Sequence, residues 1–160
     1  MSMDFYNYML IIQQEAMKAI IKKQLNIGYQ IDSDSGDVYL ADSANQSFFL
    51  IPKNYFVFDT NKLKAATVYE EIFKSSIQNG HSIGVTPEIM QTGKTTQLRK
   101  LHDPENDLDV WINNKFLGYF KNNRTVMYNY FWYGKGKLVF AYDSTNFKVL
   151  GITVEQRPKR

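Results

Sequence analysis

The chain has 160 residues, no cysteine, and 19 Lys and Arg against 16 Asp and Glu, for a formal charge of +3. A chain of this length folds as one domain that hides roughly 70% of its extended surface, so it needs no staple. Without cysteine, disulfides, thiolate metal ligands and cysteine nucleophiles are excluded. The charge is mild beside that of nucleic-acid-coating proteins.

In chain order, Phe5, Met9, Ile12, Ala16 and Ile20 recur at helical spacing, with Gln14, Lys18 and Lys22 on another side, so the spacing predicts an amphipathic helix over 4–24, capped by Asp4. No basic run precedes this apolar stretch, and Gln13, Gln14 and Glu15 interrupt it. Neither a signal peptide nor a membrane span is expected, and a cytoplasmic setting is. A meander follows over 27–31, 37–41 and 47–51, its first turn made by Asp32-Ser33-Asp34-Ser35-Gly36. Residues 55–58, Tyr-Phe-Val-Phe, read as a further strand. A second helix is then expected from a cap at Asp59 or Thr60 to Asn79-Gly80, with Leu63, Ala66, Phe73 and Ile77 inward. A loose strand pair spans 81–101, and Asp103-Pro104-Glu105-Asn106-Asp107 marks a turn. After it come a strand over 108–112, a short helix over 113–121 presenting Phe116, Leu117 and Phe120, and strands over 125–133, 137–142 and 147–154. Gly134-Lys135-Gly136 turns the first of these back, and Gly151 suits a bulge. The strand over 125–133 is apolar on both sides, which suits packing on both faces or covering a partner.

Motifs that look chemical fail at the positions their chemistry needs. Gly93-Lys94-Thr95 resembles the end of a phosphate-binding loop, but Glu88 stands where the second glycine must free backbone amides for phosphate. Its bland counterpart is a hairpin turn, with the run 138–142 before Asp143 an ordinary strand end. Asp32, Asp34 and Asp37 resemble the start of a calcium loop, but Ser43 replaces the bidentate glutamate. His81 and His102 lie 21 positions apart, without zinc spacing, and no Gly-x-Ser-x-Gly elbow exists. No metal, cofactor or catalytic residue is assigned, and the chain is read as a non-enzyme, although a pocket holding two of Glu70, Glu71, Glu88 and Glu105 would revive carboxylate chemistry. Residues 135–142 have a weak likeness to the aromatic strand of an RNA-recognition module, with Lys137 where a stacking ring belongs. Beside them, Tyr128, Tyr130 and Trp132 alternate onto one strand face, as a stacking platform would.

The run Asp107-Leu108-Asp109-Val110-Trp111-Ile112-Asn113-Asn114-Lys115-Phe116-Leu117, with a helix and three strands after it reaching Arg157, resembles the closing half-domain of the bacterial DNA sliding clamp. The first fifty residues, a helix and a meander carrying Asp37-Val38-Tyr39-Leu40-Ala41-Asp42, look like that family's other half-motif. The resemblance covers about 100 residues as two half-motifs, 1–53 and 107–157. Residues 60–101 do not fit it, and Lys137-Leu138 replaces the family's proline-valine pair. It implies one α+β domain over 1–160, mostly antiparallel, with two to three helices on one face. Because clamp subunits join two or three such domains, a ring built from this chain implies a homo-oligomer.

Clamp helices face duplex DNA with basic side chains that hold phosphates without reading bases. On that expectation Lys18, Lys22 and Lys23, then Lys62 and Lys64 with Lys74, then Lys115, Lys121 and Arg124 are the nucleic-acid-binding residues, and double-stranded DNA is the partner. The alternative is a protein-binding module, such as a phage or mobile-element inhibitor, docking on a larger protein through Tyr130, Trp132 and Lys135. That alternative requires a contiguous exposed aromatic patch at those rings.

Overall fold

A computed structural model describes residues 7–158. The architecture is α+β, with three helices on a ten-stranded, mostly antiparallel sheet of order β4-β1-β2-β3-β10-β9-β8-β5-β6-β7. Helix α1 (Asn7–Ile21) precedes the meander β1 (Gly28–Ile31), β2 (Val38–Ala41) and β3 (Ser47–Ile51). Then come the two-residue strand β4 (Lys64–Ala65), helix α2 (Tyr69–Asn79), and strands β5 (His81–Gln91), β6 (Gln97–Asp103) and β7 (Leu108–Asn113). Helix α3 (Asn114–Gly118) leads to β8 (Val126–Tyr133), β9 (Gly136–Asp143) and β10 (Lys148–Val154). The expected cap at Asp4 lies outside the described residues.

The centre of the sheet joins the two ends of the chain. Strand β3 pairs antiparallel with β10, setting Phe48 against Ile152 and Phe49 against Gly151. Two units of helix plus three strands, α1-β1-β2-β3 and α3-β8-β9-β10, therefore meet edge to edge with a palindromic strand order. Strand β7 runs directly into α3, whose N-cap Asn113 accepts from Lys115 N through its side chain. Ladder β9–β10 shifts register between Val149 and Gly151, the bulge expected there.

Strand alternation sorts the helices onto the two sheet faces. Phe49 points to the side where Tyr8 of α1 and Phe116, Tyr119 and Phe120 of the α3 segment surround it, at ring separations of 5.1–6.2 Å. Phe48 and Tyr39 point the other way, onto Tyr69 and Phe73 of α2. Two helices share one face, as expected, whereas α2 covers the opposite one. Strand β2, sandwiched between them, is buried at all four residues.

The far half of the sheet curls over the α1–α3 face. Leu101, Val110 and Ile112 are fully buried there, Tyr130 Oη donates to Asp103 Oδ2 at 2.6 Å, and Gln156 N, just beyond β10, donates to Trp111 O at 2.8 Å.

Between β3 and α2 the expected elements differ. Residues 55–58 form no strand: the buried Gln13 side chain donates to Tyr55 O at 2.9 Å and accepts from Val57 N at 2.9 Å, replacing a ladder with one side chain. Asp59 does act as a cap, accepting from Asn61 N, but of a single 3-10 turn over Thr60–Lys62. Helix α2 begins only at Tyr69; Leu63 is buried outside it, Ser76 rather than Ala66 joins Phe73 on its inner side, and Ile77 is 65% exposed.

Candidate nucleic-acid interface

Helices α1 and α3 lie side by side, held by Tyr119 Oη donating to Glu15 Oε2 at 2.8 Å and by Tyr8 packed on Phe120. The inward stripe of α1 is Tyr8, Met9, Ile12, Gln13, Ala16 and Ala19, which turns Lys18 and Lys22 outward along its α3 flank. Lys18, Lys22 and Lys115 line one shallow cleft together with Glu15, and Lys115 Nζ pairs with Glu15 Oε1 at 3.1 Å. Among the described residues, no ion pair engages Lys18 or Lys22. Three cations thus face one carboxylate. Behind them, burial pushes the Asp42 carboxyl up, opposed by hydrogen bonds from Gln46 and Ser47 N and by the Lys115 charge.

At the other end of the same helix pair, Lys121 lines a small recess with Asn7, Ile11 and Gly118, and exposed Arg124 follows it in the chain. Lys23 sits just past α1 with φ of +66° and is exposed. Two separate stretches of sequence therefore bring four of the expected cations, Lys18, Lys22, Lys115 and Lys121, to the α1–α3 side, whereas exposed Lys23 and Arg124 line neither recess. One cation that sequence reasoning missed belongs with them: Lys94, at the β5–β6 turn, lines a cleft of about 450 Å³ with Lys115 and Asn114. Nothing local marks it, because hairpin and helix meet only in three dimensions.

The remaining cations go elsewhere. Lys62 stands on the 3-10 turn and Lys64 on the outermost strand β4, and neither lines the cleft that holds Lys18, Lys22 and Lys115. Lys74 belongs to α2 on the opposite face and is paired with Asp34 at 3.4 Å and Glu70 at 3.6 Å. The reason is local. Glu70 also accepts from Ser33 N and from Ser33 Oγ, which pins the acidic turn after β1 to the start of α2 and places its charge against Lys74.

The aromatic partner surface does not form as expected. Tyr130 is 3% exposed, its hydroxyl spent on Asp103, and Phe131 behind it is fully buried. Trp132 is 53% exposed, with Lys137 Nζ 4.5 Å from its ring centre, and Lys135 is exposed in the turn. One half-covered ring is left in place of a contiguous patch. The same burial removes the stacking platform, since Tyr128 packs against Phe116 and Val139, Phe140 and Ala141 are buried.

Carboxylates that looked like ligands serve the backbone. Asp32 accepts from Ser35 N at 2.9 Å, Ser35 Oγ and Tyr39 Oη; burial acts to raise its carboxyl, but these bonds outweigh that and hold it well below the usual range. Asp37 accepts from Lys53 N, and Asp143 closes the β9–β10 turn through Thr145. Gly93-Lys94-Thr95 is the β5–β6 hairpin turn, closed by Thr92 N donating to Thr96 O at 3.0 Å. Among the described residues no group of three or more His, Asp or Glu side chains is arranged to hold a metal, and no helix is long and apolar enough to cross a membrane. His102 instead bonds Asp109 at 2.7 Å, within a surface network that includes Lys100 and Glu88. Glu88 is thus committed to Lys100 and Glu70 to the α2 start, well apart. No protein-family model, curated protein or solved structure matches this chain.

Proposed function

We propose that this chain is a cytoplasmic, non-enzymatic, clamp-like accessory protein that holds the sugar–phosphate backbone of duplex DNA across the α1–α3 surface, without reading sequence. One observation carries the reading: Lys18 and Lys22 from the first helix and Lys115 from the third share a single cleft in which Glu15 is the one carboxylate on the lining. Lys121 extends the same side, and Lys94 shares the neighbouring cleft with Lys115. Flexible lysines on helix surfaces suit phosphate contacts, which position a protein on DNA but carry no base information. The element order of the two units, a helix and three strands each, is the one the clamp resemblance calls for. Encircling DNA would require several copies of the chain.

The test is fluorescence anisotropy on a labelled duplex at 50 and 200 mM salt, for several unrelated sequences. With about five phosphate contacts, affinity is expected to fall on the order of 500-fold between those salts and to be indifferent to sequence. Lys18→Ala with Lys22→Ala and Lys115→Ala should reduce the salt slope by about 2.7. Lys62→Ala with Lys64→Ala should leave binding as it was. Absence of binding at 50 mM salt, or equal loss from both variants, would sink the assignment.

A further inference from the structure

We infer that the cleft between the end of α2 and the β9–β10 hairpin binds a small uncharged heterocycle whose edge carries an N–H donor beside an acceptor, as a nucleobase does. It lies on the α2 face, away from the lysine surface, and stands independently of the DNA reading. Its volume is about 190 Å³, below the roughly 300–1,000 Å³ of pockets for drug-sized ligands, so one or two fused rings fill it.

The first observation is the Asn129 carboxamide on the floor of this cleft. Among the described residues its Oδ1 is the one buried side-chain oxygen or nitrogen with no partner, and no hydrogen bond engages its Nδ2 either. A buried amide oxygen left unpaired is destabilising, and proteins retain few of them. Gly80 keeps the approach open, because a side chain there would fall 2.7 Å from Phe140 Cζ and 3.1 Å from Asn129 Nδ2. Rotation about the last torsion of an asparagine is soft, so either end of the amide can turn to an entering ligand. An amide edge pairs best with a group offering one donor and one acceptor side by side, which is how asparagine reads adenine.

The second observation is the wall. Phe140 and Tyr142 are tilted by 49° at a centroid separation of 5.9 Å, whereas Tyr142 and Phe147 lie within 12° of parallel at 6.4 Å. Phe147 is 77% exposed and sits at φ +58°, a conformation a bulky side chain rarely adopts. Its position in the turn would suit glycine, yet it presents a ring to solvent beside the open amide. The near-parallel rings of Tyr142 and Phe147 favour a flat ligand, and no residue lining the cleft is charged, which favours a neutral one.

The experiment titrates the full chain with adenosine and adenine while following the Asn129 side-chain amide and the Phe147 ring by NMR. Saturable shifts of both are expected. Purine riboside, which lacks the exocyclic amine and has no other N–H on its base, should bind about ten-fold more weakly than adenosine. Adenosine monophosphate should bind no more tightly than adenosine, and a short oligo-dA no more tightly per site; ten-fold tighter binding of either overturns the assignment of an uncharged free ligand. Phe147→Gly relieves the backbone, so it should melt no lower than the parent while binding about ten-fold more weakly. Asn129→Leu should also stay folded and should abolish the preference for adenosine over purine riboside. No saturable shift with adenine, 2-aminopyridine or 2-pyridone, or unchanged binding by Phe147→Gly, overturns the proposal.

Discussion

The two faces of the central sheet are built differently. On the α1–α3 face, Phe49 is fully buried among four rings from two helices, and the curled strands β5 to β7 close over what remains. On the α2 face a single helix is set by Tyr69 and Phe73 on Phe48 and Tyr39, and by polar ties such as Gln30 Oε1 accepting from Glu70 N at 3.0 Å. Two packed helices immobilise the ground beneath them and leave Lys18 and Lys22 outward without an ion pair, with Lys115 held by Glu15. One helix leaves a gap beside it, and its lysine is neutralised by the turn it grips. Rigidity and open charge thus fall on one face, while the unfilled space falls on the other.

The sharpest way to break this contrast is Phe49→Ala, which empties the meeting point of α1, α3 and the β3–β10 seam. A loss of about 3–5 kcal/mol is expected in urea unfolding; under 1 kcal/mol would mean that this face can collapse and is not the rigid one.

Two glycines offer a smaller, paired comparison. A side chain at Gly151 would meet Phe49 Cδ1 at 2.5 Å and Phe48 O at 3.3 Å, with Phe49 unable to yield. One at Gly28 would meet the Tyr69 hydroxyl at 2.1 Å, at the tip of a half-buried ring that can swing outward with α2. Gly151→Ala is expected to destabilise by about 2–3 kcal/mol and Gly28→Ala by about 1 kcal/mol. The reverse order would assign the stiffer packing to α2.

The smallest effect concerns pH. Hydrogen bonds from Tyr130 and then Asn106 hold Asp103 at about 2, below its ordinary 3.8, with burial opposing them. Because the folded state lowers this value, the contribution is complete above pH 3.8 and is lost as pH falls toward 2. Asp103→Asn should therefore lower the urea midpoint at pH 7, and the gap from the parent should shrink between pH 4 and pH 2. A gap that stays constant over that window would show that the Tyr130 bond depends on shape and not on charge.

Periodicity made most of this fold readable. The amphipathic stripe of α1, the meander, and the final three strands with their bulge all follow from local alternation, as does the hairpin reading of Gly93-Lys94-Thr95. Residues 55–68 were not readable that way, because their hydrogen bonds go to distant partners: Gln13, more than forty residues earlier, takes those of Tyr55 and Val57, and Ile27 and Tyr29 take those of Lys64 and Ala66. The side of the sheet that each helix covers was equally hidden. Phe48 and Phe49 are neighbours of like chemistry, and only the register of β3 sends one to α2 and the other to α1 and α3. For the same reason Lys18 and Lys22 could be named as outward from α1 alone, whereas their meeting with Lys115, and the separation of Lys62, Lys64 and Lys74, depend on tertiary packing. Tyr130 was misread as a surface ring because strand alternation places it on a face without saying what covers that face.

The β3–β10 seam also has a consequence for how the chain is made. Strand β3 ends at Ile51, but its partner begins at Lys148, so for nearly a hundred residues of synthesis one side of the first meander has no neighbour. An apolar strand left open for that long is a template for wrong pairing, and contacts so distant in sequence slow the search for the right one. The nascent chain passes through its most aggregation-prone stage just before β10 emerges, and that last strand acts as the closing seal of the whole sheet.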